Sequence, residues 1–138
     1  MAPIEAVHNH EMIELVKEKE GLEEKQTTYD LINDVYVSKE SFQAALVAVD
    51  SCLSGTEHAL KTGKAGYAIV RPPGHHAHCD LSSGFCFFNN VAIAANHAAS
   101  QGKKVLIFDW DVHQGDGTQT LFYERSDIML MSLHRFDG

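Results

Sequence analysis

Three short segments of this chain concentrate residues that could do chemistry. The first is Asp109-Trp110-Asp111-Val112-His113. In extended chain, residues two apart point the same way, so Asp109, Asp111 and His113 would share a side and Trp110 and Val112 the other. A carboxylate and an imidazole at that spacing can act as two zinc ligands, and a catalytic zinc takes three from the protein and keeps a position for water. An acidic strand end that is merely solvated has the same pattern, and the spacing alone leaves both readings open. The second segment, His75-His76, follows Arg71-Pro72-Pro73-Gly74. Two prolines and a glycine make a rigid turn there, which excludes a helical surface. Adjacent imidazoles near carboxylates can be oriented and tuned for general acid-base work. The third segment is Gly84-Phe85-Cys86-Phe87-Phe88-Asn89-Asn90. Phe85 reads as core, with the wall of an apolar slot as the other use of an aromatic in such a loop.

Elements that could position these segments can be read from periodicity. Asn9 to Glu24 reads as a charged helix with Met12, Ile13 and Val16 turned inward. Thr27 to Val37 is turn-like and then extended, with Tyr36 and Val37 apolar. Ser38 is the expected N-cap of a helix that places Phe42, Ala45, Leu46, Val49 and Leu53 on one face. The pattern lapses from Gly55 to Gly66, which reads as a loop. Tyr67–Val70 is expected to be a short strand, Asn89–Ser100 an alanine-rich helix closed by Gly102, and Val105–Phe108 a strand buried on both faces. A turn at Gly115–Gly117, a short helix over Thr118–Tyr123 and a third buried strand over Ile128–Met131 complete the sequence. Alternating strands and helices imply an α/β fold with a parallel sheet. In such sheets ligands bind at the carboxyl ends of the strands, where all three polar segments lie. The ends after Val70, Asp109 and Ser132 should therefore share one sheet edge.

Composition narrows the class. The 138 residues are 44% hydrophobic and 22% charged, which favours a folded domain over disorder. The net charge of -8 and the lack of a basic stripe argue against direct nucleic-acid binding. An acidic surface suits basic partners such as lysine-rich tails. No apolar run reaches the roughly 20 residues of a membrane helix. Three cysteines, Cys52, Cys79 and Cys86, with no secretory signal point to a reducing compartment.

Taken together, RPPGHHA at Arg71–Ala77, GFCFFNN at Gly84–Asn90 and DWDVHQGDGTQ at Asp109–Gln119 resemble the zinc-dependent histone deacetylase family in its class II-like branch. Acetylpolyamine amidohydrolases and bacterial deacetylase-like amidohydrolases are relatives in that family. The resemblance runs from about Val7 to Gly138. It implies an arginase/deacetylase-like parallel sheet flanked by helices, and hydrolysis of an acetyl-lysine amide by a zinc-bound water. It makes Asp111 and His113 two zinc ligands and His75 and His76 the acid-base pair. Asp109 would hold His75, and Asp116 would hold His76. At least one of these pairs should approach roughly 2.7–3.2 Å. By the same resemblance Gly84 and Phe85 border the acetyl-lysine tunnel, and Asp34 is a rim aspartate that grips the substrate backbone. Backbone oxygens around Asp109 and His113, with Ser132 and Leu133, resemble a potassium site. The implied partners are acetylated proteins or peptides, histone tails among them, and co-repressors, in nucleus or cytoplasm.

Two departures stand out. Gln114 replaces a second histidine that most members carry after the zinc-binding one. The family's third zinc ligand and its catalytic tyrosine or histidine have no counterpart before Gly138, and its opening strand none after Met1. Residues 1–138 are thus expected to form a partial catalytic domain, inactive alone, with His134 and Asp137 the only nearby substitute ligands. Two other readings compete: a deacetylase-derived module that only binds partners, and a haloacid dehalogenase-type phosphatase using Asp109-x-Asp111 with magnesium. The phosphatase would leave His75 and His76 without a task.

Overall fold

The structure is a computed structural model that describes residues 1–18, 26–27 and 36–136. Its elements run α1 (Ala2–Glu5), α2 (His10–Glu18), β1 (Gln26–Thr27), β2 (Tyr36–Val37), α3 (Ser41–Thr62), α4 (Asn90–Ser100), β3 (Val105–Asp109), α5 (Asp116–Phe122) and β4 (Ile128–Ser132). β1 and β2 pair antiparallel. β3 and β4 pair parallel, and Asp109 lies opposite Ser132 at their carboxyl ends.

Helix α4 is the centre of the packing. Its alanines present little bulk, so other elements approach closely on two sides. On one side Ile93 joins a core of Ile4, Met12, Ile13, Val16, Phe42, Val49 and Phe88. On the other, Ala92, Ala95 and Ala99 pack against Ile107 of β3, Phe122 of α5 and Ile128 of β4. The inward faces expected of α2 and α3 are the ones buried, with Leu46 and Leu53 packed partly against the core.

Several boundaries differ from the sequence reading, each for a physical reason. α3 starts at Ser41, not directly after Ser38, and the Ser38 N–H donates to the Ser41 Oγ at 2.8 Å. The helix does not end near Gly55 but continues to Thr62. Hydroxyls of Thr56 and Thr62 donate to carbonyls one turn back, Lys61 pairs with Glu57, and Glu57 bonds His97 of α4. Such contacts sustain a helix without an apolar stripe. Gly63 then closes it in the left-handed conformation, its N–H donating to the Ala59 carbonyl. α5 begins at Asp116, so Gly117 lies inside the helix.

The expected strand at Tyr67–Val70 forms no ladder, and Tyr67 and Ile69 are exposed. A strand requires a hydrogen-bonded neighbour, and none pairs with this segment among the described residues. β3 is not buried on both faces either: Ile107 is covered, while Leu106 and Phe108 are open, as are Met129 and Met131 of β4. The helix expected over Asn9–Glu24 is described only as far as Glu18.

His8 follows α1 and is 3% exposed. Its Nε2 accepts the Asn89 N–H at 3.0 Å, so its Nδ1 carries the proton and donates to the His78 carbonyl at 2.8 Å. Burial depresses its pKa to about 4, against a smaller opposing effect of the His78 carbonyl.

Two outcomes follow. Phe88→Ala removes a fully buried ring and should cost about 3–5 kcal/mol in urea denaturation. His8 takes up a proton more readily unfolded than folded. Stability is therefore expected to be full above the ordinary histidine pKa and to decline as pH falls towards about 4. The slope attributable to this one group is at most about 1.4 kcal/mol per pH unit. His8→Gln should flatten that slope, and an unchanged slope would count against the assignment.

Candidate active site

The site forms where the turn after Pro73 meets the chain leaving β3. His75 Nδ1 lies 2.9 Å from Asp109 Oδ2, and His76 Nδ1 lies 2.6 Å from Asp116 Oδ1. A carboxylate can only accept, so both imidazoles donate through Nδ1 and keep Nε2 for other partners. The two rings sit 4.2 Å apart between centroids, and His113 lies 6.0 Å from His76.

Beyond β3 the chain turns instead of continuing as strand. The Asp111 N–H donates to Asp109 Oδ1 at 3.0 Å, and the His113 N–H to Asp111 Oδ1 at 2.8 Å. These two local side-chain bonds, not strand alternation, set the direction of the segment. Trp110 and Val112 are exposed, with Trp110 edge-on to Phe108. His113 Nδ1 faces Asp111 Oδ1 at 3.0 Å, so an oxygen and a nitrogen donor converge at a solvent-accessible point. The donated His113 N–H holds the Asp111 carboxyl below its ordinary pKa, against a smaller penalty from partial burial. For Asp116, burial pushes upward, and the hydrogen bonds from His76 and His78 more than offset it, leaving the carboxyl below its ordinary value.

Four glycines, Gly74, Gly84, Gly115 and Gly117, stand where a Cβ would collide, and two of them, Gly115 and Gly84, face the side chains of the dyads. A Cβ on Gly115 would lie 2.6 Å from Asp109 Oδ2 and 3.1 Å from His75 Nδ1, so only glycine lets that dyad close. A Cβ on Gly84 would lie 2.4 Å from the His76 ring, and its φ of +51° also favours glycine. Cys86 is buried behind Gly84, donates its thiol to the Gly84 carbonyl, and has its pKa pushed up to about 11 by burial.

A family model for the histone deacetylase domain matches residues 1–138. The chain belongs to the histone deacetylase family. It is 41% identical to "Histone deacetylase 6" of Caenorhabditis elegans, over 97% of this chain and 15% of that protein. It is 43% identical to "Acetylpolyamine amidohydrolase" of Mycoplana ramosa, over 71% of this chain and 29% of that protein. Among solved structures, the HDA15 HD domain superposes with a TM-score of 0.89 at 39% identity, covering 97% of this chain and 37% of that one. The chain therefore spans well under half of each of these relatives. Its fold is the arginase/deacetylase α/β architecture, present in part.

Within this deacetylase segment, six of the residues singled out from sequence come together: His75, His76, Asp109, Asp111, His113 and Asp116. Gly84 packs on the His76 ring. Phe85 is not core: it is 54% exposed, has a φ of +66°, and lines a cleft with Arg71, Pro72, Pro73 and Phe87. Ser132 is the ladder partner of Asp109, and the Leu133 N–H donates to the Asp109 carbonyl at 2.9 Å, leaving that oxygen one lone pair for a cation. His134 bonds Ser132. Asp34 and Asp137 lie outside the described residues. Among those described, no three His, Cys, Asp or Glu side chains form a metal cluster, and all three cysteines are free.

Sequence reading missed the polar groups beneath the histidines. Asn89 Nδ2 donates to the Ala77 carbonyl at 3.1 Å and to Thr118 Oγ1 at 3.0 Å, and the Thr118 N–H donates to the His75 carbonyl. Asn89 was visible only as part of a motif, and nothing local marks Thr118 or His8.

Gly115→Ala should force the Asp109 carboxylate away from His75. A loss of about 1–3 kcal/mol in urea denaturation is expected, as for an overpacked interior. Gly115 itself has a φ of -77°, which any residue adopts, so this loss reads steric conflict and not backbone strain.

Proposed function

We propose that this segment contributes to the active site of a zinc-dependent deacetylase that hydrolyses the N-acetyl amide of acetyl-lysine in proteins or peptides. The observation that carries the reading is the convergence of two His–Asp dyads, His75–Asp109 and His76–Asp116, beside Asp111 and His113. The net charge of -8 favours lysine-rich partners, histone tails among them.

Asp111 and His113 would hold the zinc, and an oxygen with an imidazole nitrogen fits two of the three protein ligands of a catalytic site. When bound, that ion supplies Lewis acidity towards the acetyl carbonyl and towards water. The histidines do the proton work. With Nδ1–H fixed on a carboxylate, the Nε2 of one ring accepts a proton from water as the water oxygen bonds to the acetyl carbon. That proton, returned from a ring Nε2, goes to the amide nitrogen as the C–N bond breaks, yielding acetate and the free lysine amine. The dyads orient both rings in advance, which removes a reorganisation cost from each transfer. Potassium would draw on the Asp109 carbonyl beside Ser132 and Leu133.

The 138-residue chain by itself is expected to bind zinc weakly and to turn over no acetyl-lysine peptide, because the described residues offer two ligands where three are needed. In a longer polypeptide carrying this segment, zinc-dependent turnover is expected. There His76→Ala should lower turnover by about a hundredfold or more with zinc retained, whereas Asp111→Ala should lose the metal too. The assay is metal content together with release of acetate from an acetyl-lysine peptide and from an acetylpolyamine. Robust turnover by the 138-residue chain would overturn the need for a third ligand from elsewhere. A longer polypeptide without zinc or turnover would overturn the function itself, and preference for the polyamine would overturn the substrate.

A further inference from the structure

Asp116 has two oxygens, and each faces a different imidazole. Oδ1 lies 2.6 Å from His76 Nδ1, and Oδ2 lies 3.2 Å from His78 Nε2. The Asp116 side chain is half exposed, so one bond to His76 would leave its carboxylate able to rotate. The neighbouring dyad meets the same difficulty with the backbone: Asp109 Oδ2 bonds His75 while Oδ1 accepts the Asp111 N–H. Among the described residues, no backbone N–H reaches the Asp116 carboxylate. The His78 ring stands in its place.

His78 is well placed for that task. Its N–H donates to the Leu81 carbonyl at 2.8 Å. Its carbonyl accepts from buried His8, whose other nitrogen is tied to the Asn89 N–H. The backbone beneath the ring is therefore held at both peptide groups, and the ring is mostly buried.

We propose that His78 is a positioning residue: its Nε2–H clamps the second oxygen of Asp116 and so fixes the direction of the hydrogen bond that Asp116 makes to His76. This rests on His76 acting as an acid-base group, although the geometry it describes does not depend on turnover.

The test uses the 138-residue chain and solution NMR at neutral pH. Solvent exchange of the His76 Nδ1–H is compared in wild type, His78→Leu and His78→Gln. Leucine keeps bulk without a donor, and the glutamine amide can donate in place of Nε2. His78→Leu should speed exchange by about tenfold, the effect of losing one hydrogen bond, and His78→Gln should stay within about twofold of wild type. An unchanged rate in His78→Leu overturns the proposal, as does equal acceleration in both variants, which would mean that shape and not the donor matters. Should His78→Leu fail to fold, long-range 1H–15N correlations of wild type decide instead: His78 must carry its proton on Nε2, and a bare Nε2 overturns the clamp. Failure of the deacetylase reading would show separately, as absent turnover in the longer polypeptide, and would leave these results standing.

Discussion

A single buried amide holds this site together. Asn89 has no exposed surface, and all its polar groups are bonded to different parts of the chain. Its Oδ1 accepts the Ala92 N–H and caps α4. Its Nδ2 holds the carbonyl of Ala77, just past the two histidines, and Thr118 of α5. Its own N–H is taken by His8. An unpaired amide group in such a place costs about 1–3 kcal/mol, so helix, histidine turn and α5 cannot shift independently. The alanine helix anchors the assembly because it is packed on both sides.

On that base the chain assembles charge at one end of the β3–β4 pair. Asp109 holds the His75 ring, Asp116 spans the rings of His76 and His78, and Asp111 turns its carboxylate towards His113. Each contact also consumes a lone pair. Asp109 has one oxygen on His75 and the other on the Asp111 N–H, so its carboxylate orients both that ring and the turn after β3. The histidines divide by environment. His8 is enclosed, depressed to about 4, and serves as a strut. His75 and His76 keep a ring nitrogen uncommitted to an aspartate beside the Asp111–His113 pair.

The cluster was legible in sequence because its residues are packed into continuous segments. Asp109-x-Asp111-x-His113 and His75-His76 declared themselves by spacing, and the resemblance supplied the pairing with Asp109 and Asp116. What was hidden depends on partners distant in sequence. The apolar run at Tyr67–Val70 could not reveal that no strand among the described residues pairs with it. The apolar run of β3 could not reveal that Leu106 and Phe108 stay open among the described residues. α3 continues past Gly55 on hydroxyl and ion-pair contacts that leave no apolar period. Gly115 reads as a turn residue, yet its role is steric, since a methyl there would occupy the space between Asp109 and His75. His78 lies two residues from a recognised histidine, and only the fold brings it to Asp116.

The idea on which everything rests is that both dyads exist in the folded chain before any metal or substrate arrives. The direct measurement is the protonation pattern of the His75 and His76 rings, read from long-range 1H–15N correlations of the purified chain at neutral pH. Both rings are expected to carry a slowly exchanging proton on Nδ1, hydrogen-bonded to aspartate. A proton on Nε2 with a bare Nδ1 in either ring, or rapid averaging between the two forms, would contradict a preformed site.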